Sequence, residues 1–247
     1  MTGIAIDTAD GITTLTLDRV EKKNAITTVM YTALADALDA AAGDEAVRVV
    51  VVRGARSVFT AGNDLADFLH DPPTGMDSPV MRFLTTIAAF PKPLVAAVCG
   101  PAVGVGTTML LHCDLVYASD DAVLLLPFVD LGLVPEAASS LLLPQQLGYH
   151  AAAAALLLGE PIAPAAALAA GLVNAVLPGD EVDSAALAAA RRLAAKPVGA
   201  LVASKRLLKS GQQEAVHARI AEEAAVFERM LEEPAAQEAF AAFLGKR

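Results

Sequence analysis

The four consecutive valines of "VRVVVVRG" (residues 47–54) and the run "LVAAV" inside "KPLVAAVCG" (residues 92–100) offer no polar side. Successive strand side chains point to opposite faces, so an unbroken apolar run needs cover on both. Such strands lie inside a mostly parallel sheet with helices packed against it, which restricts the chain to a layered α/β architecture.

The segments around them agree with that frame. "GIAIDTADGITTLTLD" holds two alternating runs split by Asp10–Gly11, a hairpin signal. "TTVMYTALADALDAAAG" has apolar residues at helical spacing, Thr27 or Thr28 as its cap and Gly43 as its stop. "SPVMRFLTTIAAF" and "GVGTTMLLHCD" read as helices, and "LVYAS" and "AVLLLP" as short strands. From Glu136 onward the pattern is mostly helical, with one more strand expected in "LVNAVLP" and a final amphipathic segment broken at Pro234. Strands crowd the first half and helices the second, which predicts a layered core with a helical C-terminal part.

A formal charge of −10 opposes a nucleic-acid or anionic-membrane surface, though a few basic residues can still meet a small anionic ligand. Cys99 and Cys113 are the only cysteines, too few for a disulfide framework. The uncharged stretches 93–113 and 137–159 are interrupted by Pro and Gly, and the N-terminus lacks a signal-peptide pattern. The expectation is a soluble, cytoplasmic protein with no membrane span. His70, His112, His150 and His217 form no metal-ligand spacing, and neither a P-loop nor G-x-S-x-G nor a dinucleotide fingerprint is present. No metal and no redox cofactor are expected.

Two Gly-containing turns remain. "VFTAGNDLADF" leaves one buried strand through Ala61–Gly62–Asn63, and "CGPAVGVGTTMLL" leaves the next. Each can turn backbone N–H groups into a shared space, and two such donors can hold a developing oxyanion. Taken separately, each reads more readily as an ordinary strand-to-helix connection.

Taken together with "RVEKKNAITTVM" and "DLVYASDDAVLLLPFVDLGLVPEAASS", these turns make the chain resemble the crotonase (enoyl-CoA hydratase/isomerase) superfamily over nearly its whole length. "AGNDL", "GPAVG" and "PEAASS" look closest to the Δ3,Δ2-enoyl-CoA isomerases of the peroxisomal type. The resemblance implies a crotonase (ClpP-like) spiral of ββα units over residues 1–190, with a helical oligomerisation region at 191–247. It implies a homotrimer or dimer of trimers, and an acyl-CoA thioester as substrate, with CoA entering as part of that substrate. The backbone N–H groups of Asn63 and Val105 would form the oxyanion hole. Lys23, Ala25, Ala61, Gly62, Asn63, Asp64, Leu65 and Gly104 would lie along the substrate, with Lys22 or Lys23 near phosphates.

Hydratases that resemble this chain carry two glutamates, at positions matched here by Thr108 and Phe128. Adding water needs a group to position and deprotonate it. Moving a double bond needs only one base to carry a proton from C2 to C4, and the resemblance puts that base at Glu136. It is the sole charged residue between Asp130 and Glu160. Locally Glu136 also reads as a first-turn residue after Pro135, complementing a helix dipole. The family's Pro-Glu-Gly appears here as Pro135–Glu136–Ala137. Enoyl-CoA hydration and silent acyl-CoA binding are the competing readings.

The rest reads as structure. Phe68, Met81, Leu84, Phe128 and Leu133 suit an acyl pocket or a core equally. His112 and Cys113 are expected in the core. Lys205, Arg206 and Lys209 suit a solvated helix face, with a CoA phosphate contact the lesser reading there and at Lys246. The ending "GKR" is not a peroxisomal signal.

Overall fold

A computed structural model describes residues 2–55 and 58–245; Lys246 lies outside the described residues. The elements run β1 Ile4–Ala9, β2 Ile12–Leu17, α1 Thr28–Gly43, β3 Val49–Gly54, α2 Leu65–His70, α3 Pro79–Ala89, β4 Leu94–Val98 and β5 Pro101–Val103. They continue through α4 Val105–Thr108, β6 Leu115–Ser119, β7 Val123–Leu125, α5 Ser139–Leu147, α6 Tyr149–Leu157, α7 Pro164–Ala169 and β8 Ala175–Leu177. The C-terminal helices are α8 Gly179–Ala194, α9 Val198–Lys209, α10 Gln213–Leu231 and α11 Pro234–Leu244.

The hairpin forms as expected: Ala9 pairs with Ile12 across Asp10 and Gly11, both at positive φ (53° and 76°). That mirror-image turn matches the twist of the strands it joins. β2 continues into a parallel ladder, giving the order β1-β2-β3-β4-β6-β8. The valines of β3 are covered on both sides by different partners. Val50 and Val52 join Leu15, Leu17, Ala96 and Val98 in the main core, against α1 and α3. Val49 and Val51 join Ile12, Val95 and Ala97 beneath α8, which presents Val182, Ala186, Ala190 and Ala194. Alanines four apart on α8 allow it to lie close on the sheet. The layered α/β fold expected from the sequence is thereby in place.

β4 does not stop at its end. It turns through Gly100 into β5, which pairs in parallel with β7 as a second, two-stranded layer. The loop after β3 is laid against this layer: Thr60 N–H donates to Pro101 C=O, and Val103 N–H to Thr60 C=O, both at 3.0 Å. The two Gly-containing turns are therefore neighbours.

The structure changes two expectations here. "GVGTTMLLHCD" is α-helical only over Val105–Thr108 and tightens into a 3₁₀ turn at Met109–His112. β6 must begin at Leu115 beside β4, so the segment closes early, with Cys113 N–H on Leu110 C=O at 3.1 Å. Lys205 is not on a solvated face. It is 6% exposed, and its Nζ donates to Lys92 C=O and to Asp114 Oδ2, each at 2.7 Å. The starts of β4 and β6 leave these acceptors in a seam that α9 covers, so the ammonium satisfies them. Lys209 Nζ similarly reaches His112 C=O at 3.1 Å, while Arg206 stays exposed. His112 is buried and Cys113 half-buried. Among the described residues no helix is long and apolar enough to cross a membrane.

Candidate active site

Accounting for backbone N–H groups locates the donors. Along the loop after β3, Thr60 donates to Pro101 C=O, Ala61 to Lys23 C=O, Gly62 to Thr60 Oγ1 and Asp64 to Ile26 C=O. Asn63 N–H, in the middle of this series, has no acceptor among the described residues. In the adjacent turn, Gly104 N–H donates to Leu125 C=O, and Thr107 and Thr108 N–H both return to Gly104 C=O. The N–H groups of Val105 and Gly106 open α4 without a partner among the described residues, as the first turn of a helix must. Backbone donors are otherwise almost always paired, so these are available for a ligand.

Glycine lets the two turns touch. At Gly62, where φ is +87°, a Cβ would lie 2.9 Å from the Val103 carbonyl oxygen. At Gly106 it would meet Thr60 Cγ2 at 2.4 Å. Asn24 is the staple behind them. Fully buried and left-handed, it donates from Nδ2 to Val58 C=O at 2.8 Å and accepts Arg19 N–H at 2.9 Å.

A cavity of about 870 Å³ opens over these donors. Lys22, Lys23, Ala25, Ala61, Gly62, Asn63, Leu65 and Gly104 all border it. Phe68, Phe128 and Leu133 supply apolar wall, joined by Phe227 of α10 and Phe240 of α11. Val105 is fully buried and offers only its backbone, which is all that the expected N–H donor requires. One expected residue is placed differently. The Asp64 side chain does not line the cavity: its Oδ2 accepts Arg19 Nη1 at 2.6 Å, and its Oδ1 accepts Ala66 N–H at 3.1 Å. Burial would raise the Asp64 carboxyl, but the Arg19 bond and the α2 N–H groups outweigh it and hold the carboxyl below its usual range. Asp64 caps α2 and ties it to Arg19, because a helix start needs an acceptor for its free N–H groups.

Glu136 stands apart from the donors, on a smaller cavity of about 150 Å³ that shares Phe227 with the large one. Met81 and Leu84 line this cavity too, so the expected pocket residues divide between the two spaces. Glu136 is not in a helical first turn. α5 begins only at Ser139, and Glu136 lies in irregular chain before it. Ala137 and Ala138 follow with φ of 60° and 57°, a left-handed break that a helix cannot contain. The helix-dipole explanation of this residue is thereby removed.

Glu136 is 6% exposed, and its Oε1 and Ser139 Oγ are the buried side-chain polar atoms left without a partner among the described residues. Burial, and then the charge of Glu223, push its carboxyl up to about 8. Tyr31 links the two sides. Its hydroxyl donates to Asn63 Oδ1, and burial followed by the Glu136 charge raises it well above the ordinary phenol value, so it stays protonated. Tyr31 and Glu223 were not legible as site residues: one sits on the apolar stripe of α1, the other in an acidic helical segment that resembles solvated surface.

Thr108 and Phe128 are both buried, and Thr108 Oγ1 lies 3.4 Å from Val105 C=O. Neither supplies a carboxylate.

Known proteins resemble this chain closely. The profile of the enoyl-CoA hydratase/isomerase family matches residues 7–247. Enoyl-CoA delta isomerase 2 of Rattus norvegicus is 38% identical over 87% of this chain, which spans 56% of the rat protein, little more than half its length. The 2,3-dehydroadipyl-CoA hydratase of Escherichia coli K12 is 33% identical, with 100% of this chain and 97% of that protein covered. Among solved structures, Pseudomonas aeruginosa OdaA superposes with a TM-score of 0.96 at 49% identity, covering 98% of each chain.

Proposed function

The chain belongs to the enoyl-CoA hydratase/isomerase family, and from that premise we propose that it converts 3-enoyl-CoA thioesters to 2-enoyl-CoA thioesters, in fatty acid β-oxidation. The observation that carries this reading is the unpartnered Glu136 Oε1, buried on the small cavity that shares Phe227 with the donor-lined one, with no second unpaired carboxylate beside it among the described residues. A carboxylate stripped of water is a stronger base than one in solvent, and a group near pH 8 suits abstraction of a weakly acidic C–H proton.

In this mechanism the thioester carbonyl oxygen accepts the N–H groups of Asn63 and Val105. Glu136 removes a proton from C2, the charge moves onto the thioester oxygen, and the same carboxyl returns the proton at C4. Backbone donors aimed at that oxygen stabilise the enolate without reorganising. The CoA portion follows Lys22, Lys23, Ala25 and the 61–65 loop along the large cavity, and the acyl chain turns past Phe227 toward Glu136. No cofactor beyond the CoA of the substrate takes part. A homotrimer or dimer of trimers belongs to the same proposal. Leu207 and Leu208 on α9, 70% and 83% exposed, are apolar surface for it to cover.

The likeness to a hydratase favours one rival, addition of water. Parallel spectrophotometric assays with a 3-enoyl-CoA and with crotonyl-CoA decide between them. The expected result is double-bond migration at least tenfold faster than hydration. Faster hydration overturns the proposal, and tight CoA-ester binding with neither turnover makes the protein a silent acyl-CoA binder.

A further inference from the structure

Glu223 is a second buried carboxylate that the proposed chemistry leaves unused. It lies on α10, is 6% exposed, and borders the same small cavity as Glu136. Its Oε2 accepts Ala138 N–H at 2.6 Å, and its Oε1 accepts Ser140 N–H at 3.0 Å and Ser140 Oγ at 2.5 Å. All three donors come from the chain immediately after Glu136. That is the work of a cap supplied from another helix, not of a second base.

The opposite edge of the same loop is also held. His112 Nε2 lies 2.8 Å from Ala137 C=O. Burial lowers this imidazole to about 4, so it is neutral near pH 7. A carbonyl only accepts, which puts the hydrogen on Nε2. Ala137 C=O and Ala138 N–H are the two polar ends of one peptide unit, so His112 and Glu223 grip that unit from its two edges. It joins consecutive left-handed alanines, a conformation that a residue with a Cβ adopts only where its surroundings impose it.

We propose that Glu223, together with His112, is a positioning residue for Glu136: it clamps the Ala137–Ala138 peptide and sets a second negative charge beside the Glu136 carboxyl. The inference rests on Glu136 being the base. Other charges around the pair come from several elements. α10 supplies Arg219, Glu222 and Glu228; Arg219 donates to Ser140 Oγ at 3.0 Å and pairs with Glu222 at 3.0 Å. α1 supplies Tyr31, and Lys205, Lys209 and His217 act on His112 from behind. The residues lining the cavity from α3, Val80, Met81 and Leu84, are apolar. Burial raises the Glu223 carboxyl above its ordinary value, while the bonds from Ser140 and Ala138 and the charge of Arg219 favour its ionised form and hold that rise back.

The test compares Glu223→Gln with Glu223→Asp. Gln removes the like charge and part of the clamp, so kcat should fall at least tenfold with KM within twofold, and the acid limb of kcat/KM should move to lower pH. Asp keeps the charge but retracts it from the peptide, so kcat should fall while the limb stays at the parent position. A folded Gln variant with an unmoved limb, or either folded variant with kcat within twofold of the parent, overturns the proposal. A ¹³C carboxyl titration of Glu136, assigned with Glu136→Gln, reads the same shift in Glu223→Gln without turnover. Should the parent prove inactive on 3-enoyl-CoA, a downward shift in that titration leaves the clamp standing and overturns only the isomerase reading. No shift overturns the clamp itself.

Discussion

The two sides of the site are built on opposite principles. On the donor side, between residues 19 and 64 and between 100 and 108, polar groups are paired almost throughout, glycine relieves the close contacts, and the surface opens on a cavity of about 870 Å³. On the Glu136 side the turn is left-handed without glycine, a carboxylate oxygen is buried without a partner among the described residues, and the cavity is about 150 Å³. The first side holds charge that arrives. The second holds a carboxyl in apolar surroundings, where its ionised form is costly and therefore a stronger base. Orienting a thioester needs fixed dipoles, whereas taking a proton from carbon needs a base denied its usual solvation.

The largest effect should come from removing the base. Glu136→Gln keeps the size of the side chain and leaves the backbone donors at Asn63 and Val105 in place. Turnover should fall by about 10²–10⁴, with little change in the affinity for a non-reactive acyl-CoA. A fall of only a few-fold would mean that the unpaired oxygen is incidental. The same variant reads the cost of the buried charge. The Glu136 carboxyl is raised above its ordinary value to about 8, so between roughly pH 4.5 and 8 the folded protein keeps a proton that the unfolded chain has released. Stability therefore declines as pH rises through that window in the parent and not in the variant. Thermal denaturation at pH 5 and pH 9 should show the variant gaining on the parent at the higher pH. In the parent, kcat/KM should rise with pH through an apparent pKa near 8.

Breaking the donor side should cost less activity and more folding stability. Gly62→Ala places a Cβ 2.9 Å from Val103 C=O at a φ of +87°. Separating the two turns should lower kcat about 10- to 100-fold and destabilise by about 1–3 kcal/mol, without moving the acid limb. If the limb moved, the two sides would not be independent.

The smallest effect belongs to the strained turn. Ala137→Gly relieves one left-handed alanine while adding freedom to the unfolded chain, so a gain of about 0.5–1 kcal/mol is expected from chemical denaturation. A loss would show that the Ala137 methyl packs more favourably than its backbone is strained.

Part of this was legible in the sequence and part was not, for reasons that differ between residues. The Asp10–Gly11 hairpin, the cap at Thr27 and the buried valines of β3 were legible because each depends on near neighbours or on a simple side-chain period. Asn63, Gly62 and Gly104 were legible through the family resemblance, because a backbone site needs a turn of fixed shape. Glu136 was legible as a residue but not as an environment, and its local reading as a helix-start carboxylate failed because the helix begins at Ser139. Lys205 read as surface because nothing in its own helix announces the carbonyl and carboxylate that Lys92 and Asp114 present to it.

The sequence by itself determined the layered sheet, the order of its elements and the two turns that release backbone donors. Those follow from local conformational preference and from which side chains must leave water. Only the tertiary structure decided that Asp64 faces Arg19 instead of the cavity, that Tyr31 spans from Asn63 toward Glu136, and that Glu223 reaches across 85 residues to hold Ala138. An unpaired oxygen and a gripped peptide are properties of what surrounds a residue. Those surroundings are assembled by chain segments whose separation in sequence carries no signal that they will meet.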